Sequence, residues 1–160
     1  MSALQASRSL DDLQPHMRVL AQRLLDKAKT EGIPLTLTST LRPLAMQAAL
    51  YAQGRTAPGR IVTNARPGYS FHNFGLAVDV VPDELIALPD WGDTPAHRTH
   101  ADTLWKQLGG IGKAIGLTWG GDFLHLPDRP HFEWAGGLPL AQLRAGARPG
   151  SAARDGPESA

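Results

Sequence analysis

One aspartate stands in a run of apolar residues, where a charged side chain is unfavourable. Asp79 lies in the segment LAVDVVP (76–82), whose other residues are typical of a buried strand. Burying a carboxylate without a partner would cost several kcal/mol, so Asp79 requires a metal ion, an arginine or backbone donors beside it. The alternative is an exposed aspartate on the polar face of an edge strand.

Two histidines could join Asp79 at a metal ion. His72 lies seven residues earlier, and Gly75 permits a turn between them. His131 follows Pro130 in a short aromatic segment. Two imidazoles and one carboxylate suit a zinc ion that keeps a fourth position open for water, as catalytic zinc sites do. The chain has no cysteine, which excludes thiolate ligands and disulfides. Taken alone, each histidine is more often a hydrogen-bonded core residue than a ligand.

Hydrolysis at such a site also needs a base and a group that stabilises negative charge. Asp128, three residues before His131, could lie beside the metal without binding it, and we expect it to be the base. Glu133 is the alternative, since in a strand it would share a face with His131 and could also orient that imidazole. Arg42 follows the β-rich segment 34–40 and could stabilise an oxyanion. On this observation alone, a surface arginine in a turn before a helix is the favoured interpretation.

The elements that must position these residues follow from hydrophobic periodicity and from glycine and proline. We predict an α+β fold, in which a small antiparallel sheet carries the zinc site and helices pack on one side of it. The first helix carries the apolar stripe from Leu13 to Ala28 and ends at Gly32. The other predicted helices span 43–53, 98–115 (weakened by Gly109, Gly110 and Gly112) and 138–146, the strands 34–40, 76–82, 117–119 and 131–134, and the long loops 55–71 and 83–96.

Composition limits the class of protein. A chain of 160 residues with 42% apolar and 19% charged residues predicts one globular domain, at 11–146, after a lead-in at 1–10 and before a disordered tail at 147–160. The net charge of +1 without a basic stripe argues against a nucleic-acid partner. No stretch approaches the ~18 apolar residues of a membrane span, and no signal peptide is recognised at the N-terminus. We expect a monomer that is made in the cytoplasm.

The spacing of these residues resembles that of the zinc D-alanyl-D-alanine carboxypeptidase family. Its Ser-x-His-x-x-Gly-x-Ala-x-Asp signature is matched by SFHNFGLAVD (70–79), and its acidic residue three before a histidine by DRPH (128–131). The segment STLRPLAMQAALYAQGRT (39–56) is similar to the family's strand–Arg–helix unit, although STLRP stands where members often have Gly-Tyr-Arg-Ser. Within this segment we assign helix packing and loop anchoring to Gln47, Tyr51, Gln53 and Arg55.

The resemblance implies a complete catalytic site with one zinc ion. The implied ligands are His72, Asp79 and His131, with Asp128 as general base, Arg42 at the oxyanion and Ser70 beside the substrate. A zinc-polarised water would attack the peptide bond, and Asp128 would pass its proton to the leaving amine. The sequence assigns no role to His125 or Trp91, although either could line a cleft.

The resemblance also implies a substrate, the peptide stem of bacterial peptidoglycan. The absence of an export segment favours a phage or prophage endolysin that cuts the L-Ala–D-Glu bond and reaches the cell wall with the help of a holin. The alternatives are a D-Ala-D-Ala carboxypeptidase or dipeptidase, and a zinc-binding module without catalytic activity. The presence of both Asp128 and Arg42 argues against the last.

Overall fold

The computed structural model describes residues 4–150, so most of the predicted disordered tail and the start of the lead-in lie outside the described residues. No helix within this range combines the length and the apolar character needed to cross a bilayer. The elements are α1 (Pro15–Thr30), β1 (Leu35–Ser39), α2 (Leu44–Ala52), β2 (Ala77–Pro82), α3 (Asp83–Ile86), α4 (Pro95–Ile115), β3 (Thr118–Trp119), β4 (His131–Glu133) and α5 (Leu140–Arg144).

The four strands form one antiparallel sheet in the order β1-β2-β4-β3. Successive side chains of a strand point to opposite faces. Val78 on β2 and Phe132 on β4 are fully buried in the core. Asp79, His131 and Glu133 therefore lie together on the other face of the sheet. This alternation gives the sheet one apolar face and one face that carries the polar residues of interest.

Helices α1 and α4 cover the apolar face and share one core with the sheet. The sequence prediction of an α+β fold, with a small antiparallel sheet and helices packed against it, is confirmed. The core residues of the two helices are Met17, Leu20, Ala21, Leu24 and Ala28 on α1, and Ala101, Leu104, Trp105, Leu108 and Ile111 on α4.

The prediction of a loop over residues 83–96 is wrong at both ends, because each end of this segment is helical. Helix α3 begins directly after Pro82, and its first turn contains Asp83 and Glu84, whose charges interact favourably with the helix dipole. Leu85 is fully buried and anchors this single turn in the core. Helix α4 begins earlier than predicted, at Pro95, because proline suits the first position of a helix.

The three glycines of α4 were expected to weaken it, but the helix continues unbroken to Ile115. A Cβ atom on Gly109 would lie 2.4 Å from the Trp119 ring, and one on Gly112 would lie 2.3 Å from the Phe132 ring. These two glycines allow α4 to approach the sheet closely. The packing gained at the contact offsets their low helix propensity.

Two substitutions in α4 are expected to change stability in opposite directions. A Cβ on Gly110 would meet no atom within 4 Å, so Gly110→Ala should stabilise the protein by up to about 1 kcal/mol through helix propensity. Gly112→Ala should destabilise it by about 1–3 kcal/mol, because the methyl group displaces Phe132 or the helix. Urea denaturation of both variants measures the difference. A change of the same sign in both would contradict the close packing of α4 on β4.

Candidate metal centre and cleft

Strand pairing places Asp79 beside His131. The register of β2 and β4 sets these two residues directly opposite each other. Such pairs have Cβ atoms about 5 Å apart, close enough for their side chains to interact. His131 Nδ1 lies 3.4 Å from Asp79 Oδ1.

A capped 3-10 turn, Phe71–Phe74, supplies His72. The Ser70 hydroxyl accepts a hydrogen bond from the His72 N–H at 3.3 Å, and the Asn73 carboxamide oxygen accepts one from the Ser70 N–H, also at 3.3 Å. This reciprocal pair is a capping box. Gly75 ends the turn at φ 68°, and a Cβ there would lie 2.9 Å from the carbonyl oxygen of Asp12. The residue types around His72 are thus those that the turn requires.

Three potential ligand atoms converge where the turn meets the strands. The groups offered by His72, Asp79 and His131 all lie within 4.8 Å of one another. His72 Nε2 is 3.1 Å from Asp79 Oδ1 and 3.1 Å from His131 Nδ1. Both imidazoles are buried, with His72 1% and His131 7% exposed. The structure therefore brings together the three residues that the sequence analysis proposed as ligands.

The chemistry of these three ligand atoms suits a bound cation. His72 Nδ1 lies 2.8 Å from the Thr40 carbonyl oxygen, and His131 Nε2 lies 2.7 Å from Glu133 Oε2. Because a carbonyl and a carboxylate only accept, each neutral imidazole must carry its proton on that outer nitrogen. The inner nitrogens then direct lone pairs at each other and at Asp79. Three acceptors without a donor repel one another unless a positive charge lies between them.

The pKa values reflect this need for positive charge. Burial disfavours the charged carboxylate, but His72 and His131 outweigh it and hold the pKa of Asp79 well below its usual range. Burial also disfavours the imidazolium, yet the hydrogen bonds to Asp79 and Glu133 and the charges of these two carboxylates together outweigh burial and raise the pKa of His131 to about 9. In the metal-free protein a proton on His131 therefore supplies the positive charge, and a bound metal ion would displace it.

Arg42 contacts the same aspartate from the other side. Its Nη2 lies 3.3 Å from Asp79 Oδ2, while its Nη1 donates to Gln47 Oε1 at 3.0 Å. Its main chain is tied to the 3-10 turn, because the Arg42 N–H donates to the His72 carbonyl at 2.9 Å and its carbonyl accepts from Asn73 Nδ2 at 3.0 Å. The sequence required a partner for Asp79 but did not identify Arg42 as one.

A cleft of about 670 Å³ opens over these residues. Residues 62–65 form one part of its wall, and residues 123–126, which include His125, form another. Trp91 is 52% exposed and does not line the cleft. A second groove, of about 740 Å³, lies between α1 and α4 and contains none of the candidate site residues. The candidate residues that line the cleft are Arg42, Ser70, His72, Asp128, His131 and Glu133.

The two candidate bases differ in their partners. Glu133 is engaged by His131, whereas the Asp128 carboxylate has no hydrogen-bond or ion-pair partner within residues 4–150. The main chain of Asp128 is fixed, since its N–H donates to the Gly120 carbonyl at 2.9 Å and its carbonyl accepts from the His131 N–H at 3.2 Å. Loss of solvation, followed by the charge of Asp79, raises the pKa of Asp128, although its side chain stays open to the cleft.

Sequence reasoning missed the contact of Gln47 with Arg42. The sequence assigns Gln47 to helix packing and loop anchoring, and its side chain does hold the loop at Ala65, but it also lies beside the candidate site. A signal was present, because Gln47 is the single carboxamide in the otherwise apolar and aromatic helix LAMQAALYA. A polar group buried on such a helix needs a specific partner. The sequence could not show which partner that is.

Comparison with known proteins places the chain in a family of peptidases. Residues 63–134 match a family model described as D-alanyl-D-alanine carboxypeptidase. The chain is 36% identical over 132 residues to the peptidoglycan L-alanyl-D-glutamate endopeptidase CwlK of Bacillus subtilis (strain 168), covering 82% of this chain and 79% of that protein. It is 29% identical over 137 residues to the L-alanyl-D-glutamate peptidase of Listeria phage A118, covering 84% of this chain and 43% of that protein.

Solved structures share the fold. The Serratia marcescens L-Ala D-Glu endopeptidase ChiX aligns with a TM-score of 0.52 and 20% identity, covering 86% of this chain and 91% of that chain. A mutant of the vancomycin resistance D,D-pentapeptidase VanY, solved in complex with Zn(II), aligns with a TM-score of 0.51 and 18% identity, covering 83% and 78%. At these identities the likeness concerns the fold.

Proposed function

Because the chain belongs to the D-alanyl-D-alanine carboxypeptidase family of peptidases, we propose that it is a zinc-dependent endopeptidase that cleaves the L-alanyl–D-glutamate bond in peptidoglycan. The relative at 36% identity is named for that activity and is matched over 79% of its length. The observation that carries the proposal is the convergence of three acceptor atoms beside a cleft that is also lined by Asp128, whose carboxylate has no hydrogen-bond or ion-pair partner within residues 4–150.

In this proposal His72, Asp79 and His131 hold one zinc ion. Zinc, when bound, supplies a Lewis acid that polarises the scissile carbonyl and makes water more acidic. The Thr40 carbonyl and Glu133 keep the two imidazoles in the tautomers that present an inner lone pair. Such outer contacts fix ring orientation and raise the basicity of the ligands.

Asp128 and Arg42 act on the substrate. Asp128 takes a proton from the attacking water on its carboxylate and delivers it to the nitrogen of the leaving amine. Its carboxylate has no partner in the part of the chain that the structure describes, which supports this role because no hydrogen bond must break first. Arg42 neutralises Asp79 and stabilises the negative charge that develops on the carbonyl oxygen. Ser70 caps the turn under His72 and lines the cleft beside the substrate.

One further activity is favoured by a specific observation. The matched family model is described as D-alanyl-D-alanine carboxypeptidase, and the VanY structure is that of a D,D-pentapeptidase. Removal of a terminal D-Ala uses the same zinc and base but requires a pocket for a free carboxylate. A phage origin, release through a holin and a monomeric state remain predictions from the sequence.

Digestion of purified peptidoglycan followed by mass spectrometry distinguishes these activities. We expect fragments with a new N-terminal D-Glu, because the L-Ala–D-Glu bond is the proposed site of cleavage. Released D-Ala would instead establish a carboxypeptidase. The Asp128→Asn variant, purified in the same way, controls for contaminating hydrolases. A zinc-loaded wild-type protein that yields no product would contradict a peptidase and favour a zinc-binding module.

A further inference from the structure

Gln47 is a fully buried glutamine, and both polar atoms of its side chain have hydrogen-bond partners outside α2. Its Oε1 accepts a hydrogen bond from Arg42 Nη1 at 3.0 Å, and its Nε2 donates one to the Ala65 carbonyl oxygen at 2.8 Å. The side chain of Gln47 therefore forms a bridge that connects Arg42 to Ala65, which lies in the loop that follows α2. Being inaccessible, it can affect a substrate only through these partners.

The Ala65 end of this bridge belongs to one wall of the cleft. Residues 60–65, named here the cleft wall, have no helix or strand structure, and residues 62–65 line the cleft. Two side chains that directly follow α2 also hold the cleft wall. Gln53 Nε2 donates to the Arg60 carbonyl at 3.1 Å, and Arg55 Nη1 donates to the Thr63 carbonyl at 3.0 Å. Arg55 Nη2 also donates to Asn64 Oδ1 at 3.2 Å, so three side chains hold the wall, and Gln47 is one of them.

The Arg42 end of the bridge sets the direction of a guanidinium group. The ion pair of Arg42 with Asp79 is long at 3.3 Å, whereas charge-assisted hydrogen bonds are usually about 2.7–2.9 Å. Arg42 Nε is buried and has no hydrogen-bond partner within residues 4–150. Gln47 therefore makes the shorter of the two side-chain contacts that fix the guanidinium plane.

We propose that Gln47 is a positioning residue that couples the cleft wall to Arg42, so that a substrate held against the wall aligns the guanidinium for reaction. The inference rests on the proposed function, because it assumes that Arg42 acts on a bound peptide. Gln47 itself does not contact the substrate. Its contribution is expected mainly in kcat, since alignment matters most where charge develops in the transition state.

Two substitutions separate the two hydrogen bonds. Gln47→Met has a similar volume but loses both bonds, and we expect it to lower kcat about tenfold on a soluble stem peptide, because misalignment of a reacting group has a large kinetic effect. Gln47→Glu keeps an acceptor for Arg42 but cannot donate to the Ala65 carbonyl, so it should retain more of kcat and raise KM. Zinc content and thermal melting confirm that both variants are folded. A lower kcat in Gln47→Glu than in Gln47→Met would overturn the proposal.

A double-mutant cycle tests whether Gln47 acts through Arg42. In an Arg42→Ala background, Gln47→Met should lower kcat by less than about twofold, because the group that it positions is gone. Gln53→Met is the matched control, since Gln53 holds the same wall at Arg60 without touching Arg42. It should reduce activity by the same factor in both backgrounds. An equal loss from Gln47→Met in both backgrounds would mean a merely structural role.

A spectroscopic measurement keeps this inference distinct from the proposed function. In the zinc-loaded wild type, the guanidinium NMR signals of Arg42 should be resolved, because its hydrogen bonds restrict rotation. In Gln47→Met the separate guanidinium signals of Arg42 should merge into averaged signals, because the group rotates more freely without the hydrogen bond to Gln47. Unchanged signals would overturn the role of Gln47 whether or not the protein hydrolyses peptidoglycan. If the wild type yields no product, the proposed function fails and these signals alone decide on Gln47.

Discussion

Asp128→Asn is expected to lower kcat by about 10²–10⁴-fold while the protein keeps its fold and its zinc, because general acid–base catalysis contributes a factor of this size. The carboxylate has no hydrogen-bond or ion-pair partner within residues 4–150, so its loss removes no structural contact of the side chain. The two main-chain bonds that hold Asp128 to Gly120 and His131 remain. Steady-state hydrolysis of a stem peptide, with zinc content and thermal melting measured on the same samples, tests this.

Glu133→Gln is the matched control. The amide oxygen can still accept a hydrogen bond from His131 Nε2, but without charge it holds the imidazole less firmly. We therefore expect weaker zinc binding, by about 10–100-fold, and a kcat at saturating zinc that stays well above that of Asp128→Asn. If Glu133→Gln loses turnover with zinc bound while Asp128→Asn retains it, Glu133 is the base.

Chelation of the metal is expected to abolish hydrolysis and to lower the melting temperature, and one equivalent of zinc should restore both. A ligand that binds only the native state stabilises it, by about 4 kcal/mol at a thousandfold excess over its Kd. Zinc binds through the three convergent groups and displaces the proton that His131 carries in the metal-free protein. Calorimetry with and without chelator, followed by addition of zinc, measures the shift.

Asp79→Asn should remove the response of the melting temperature and of hydrolysis to chelator and zinc. The amide preserves shape but takes away the charge that faces His72 and His131, so zinc binding and activity are both expected to be lost. Asp26→Asn, an exposed carboxylate on α1, is the matched control and should respond to chelator as the wild type does. A variant Asp79→Asn that still binds zinc tightly would remove Asp79 from the set of ligands.

Much of the fold could be predicted from local pattern. The apolar stripe of α1 and the run around Asp79 identified a helix and a buried strand, because side-chain periodicity directly reflects which face is buried. The errors lie where tertiary packing overrides propensity. Gly109 and Gly112 were expected to weaken α4, yet in the structure they provide the space in which the rings of Trp119 and Phe132 lie.

The sequence by itself determined the kinds of groups at the site. An aspartate in a buried strand requires a partner, and a chain without cysteine leaves histidine and carboxylate as its metal ligands. The alternation of β4 also predicted that Glu133 would share a face with His131. In the structure the Glu133 carboxylate accepts a hydrogen bond from Nε2 of that imidazole.

Only the tertiary structure decided which groups meet. The register of β2 and β4 sets Asp79 opposite His131, and the fold directs Arg42 and Gln47 toward the same point. Contacts of this kind join residues far apart in the chain, and their geometry depends on strand register and on the path of a loop. Local composition fixes neither, since a shift of one residue in register would move Asp79 and His131 apart.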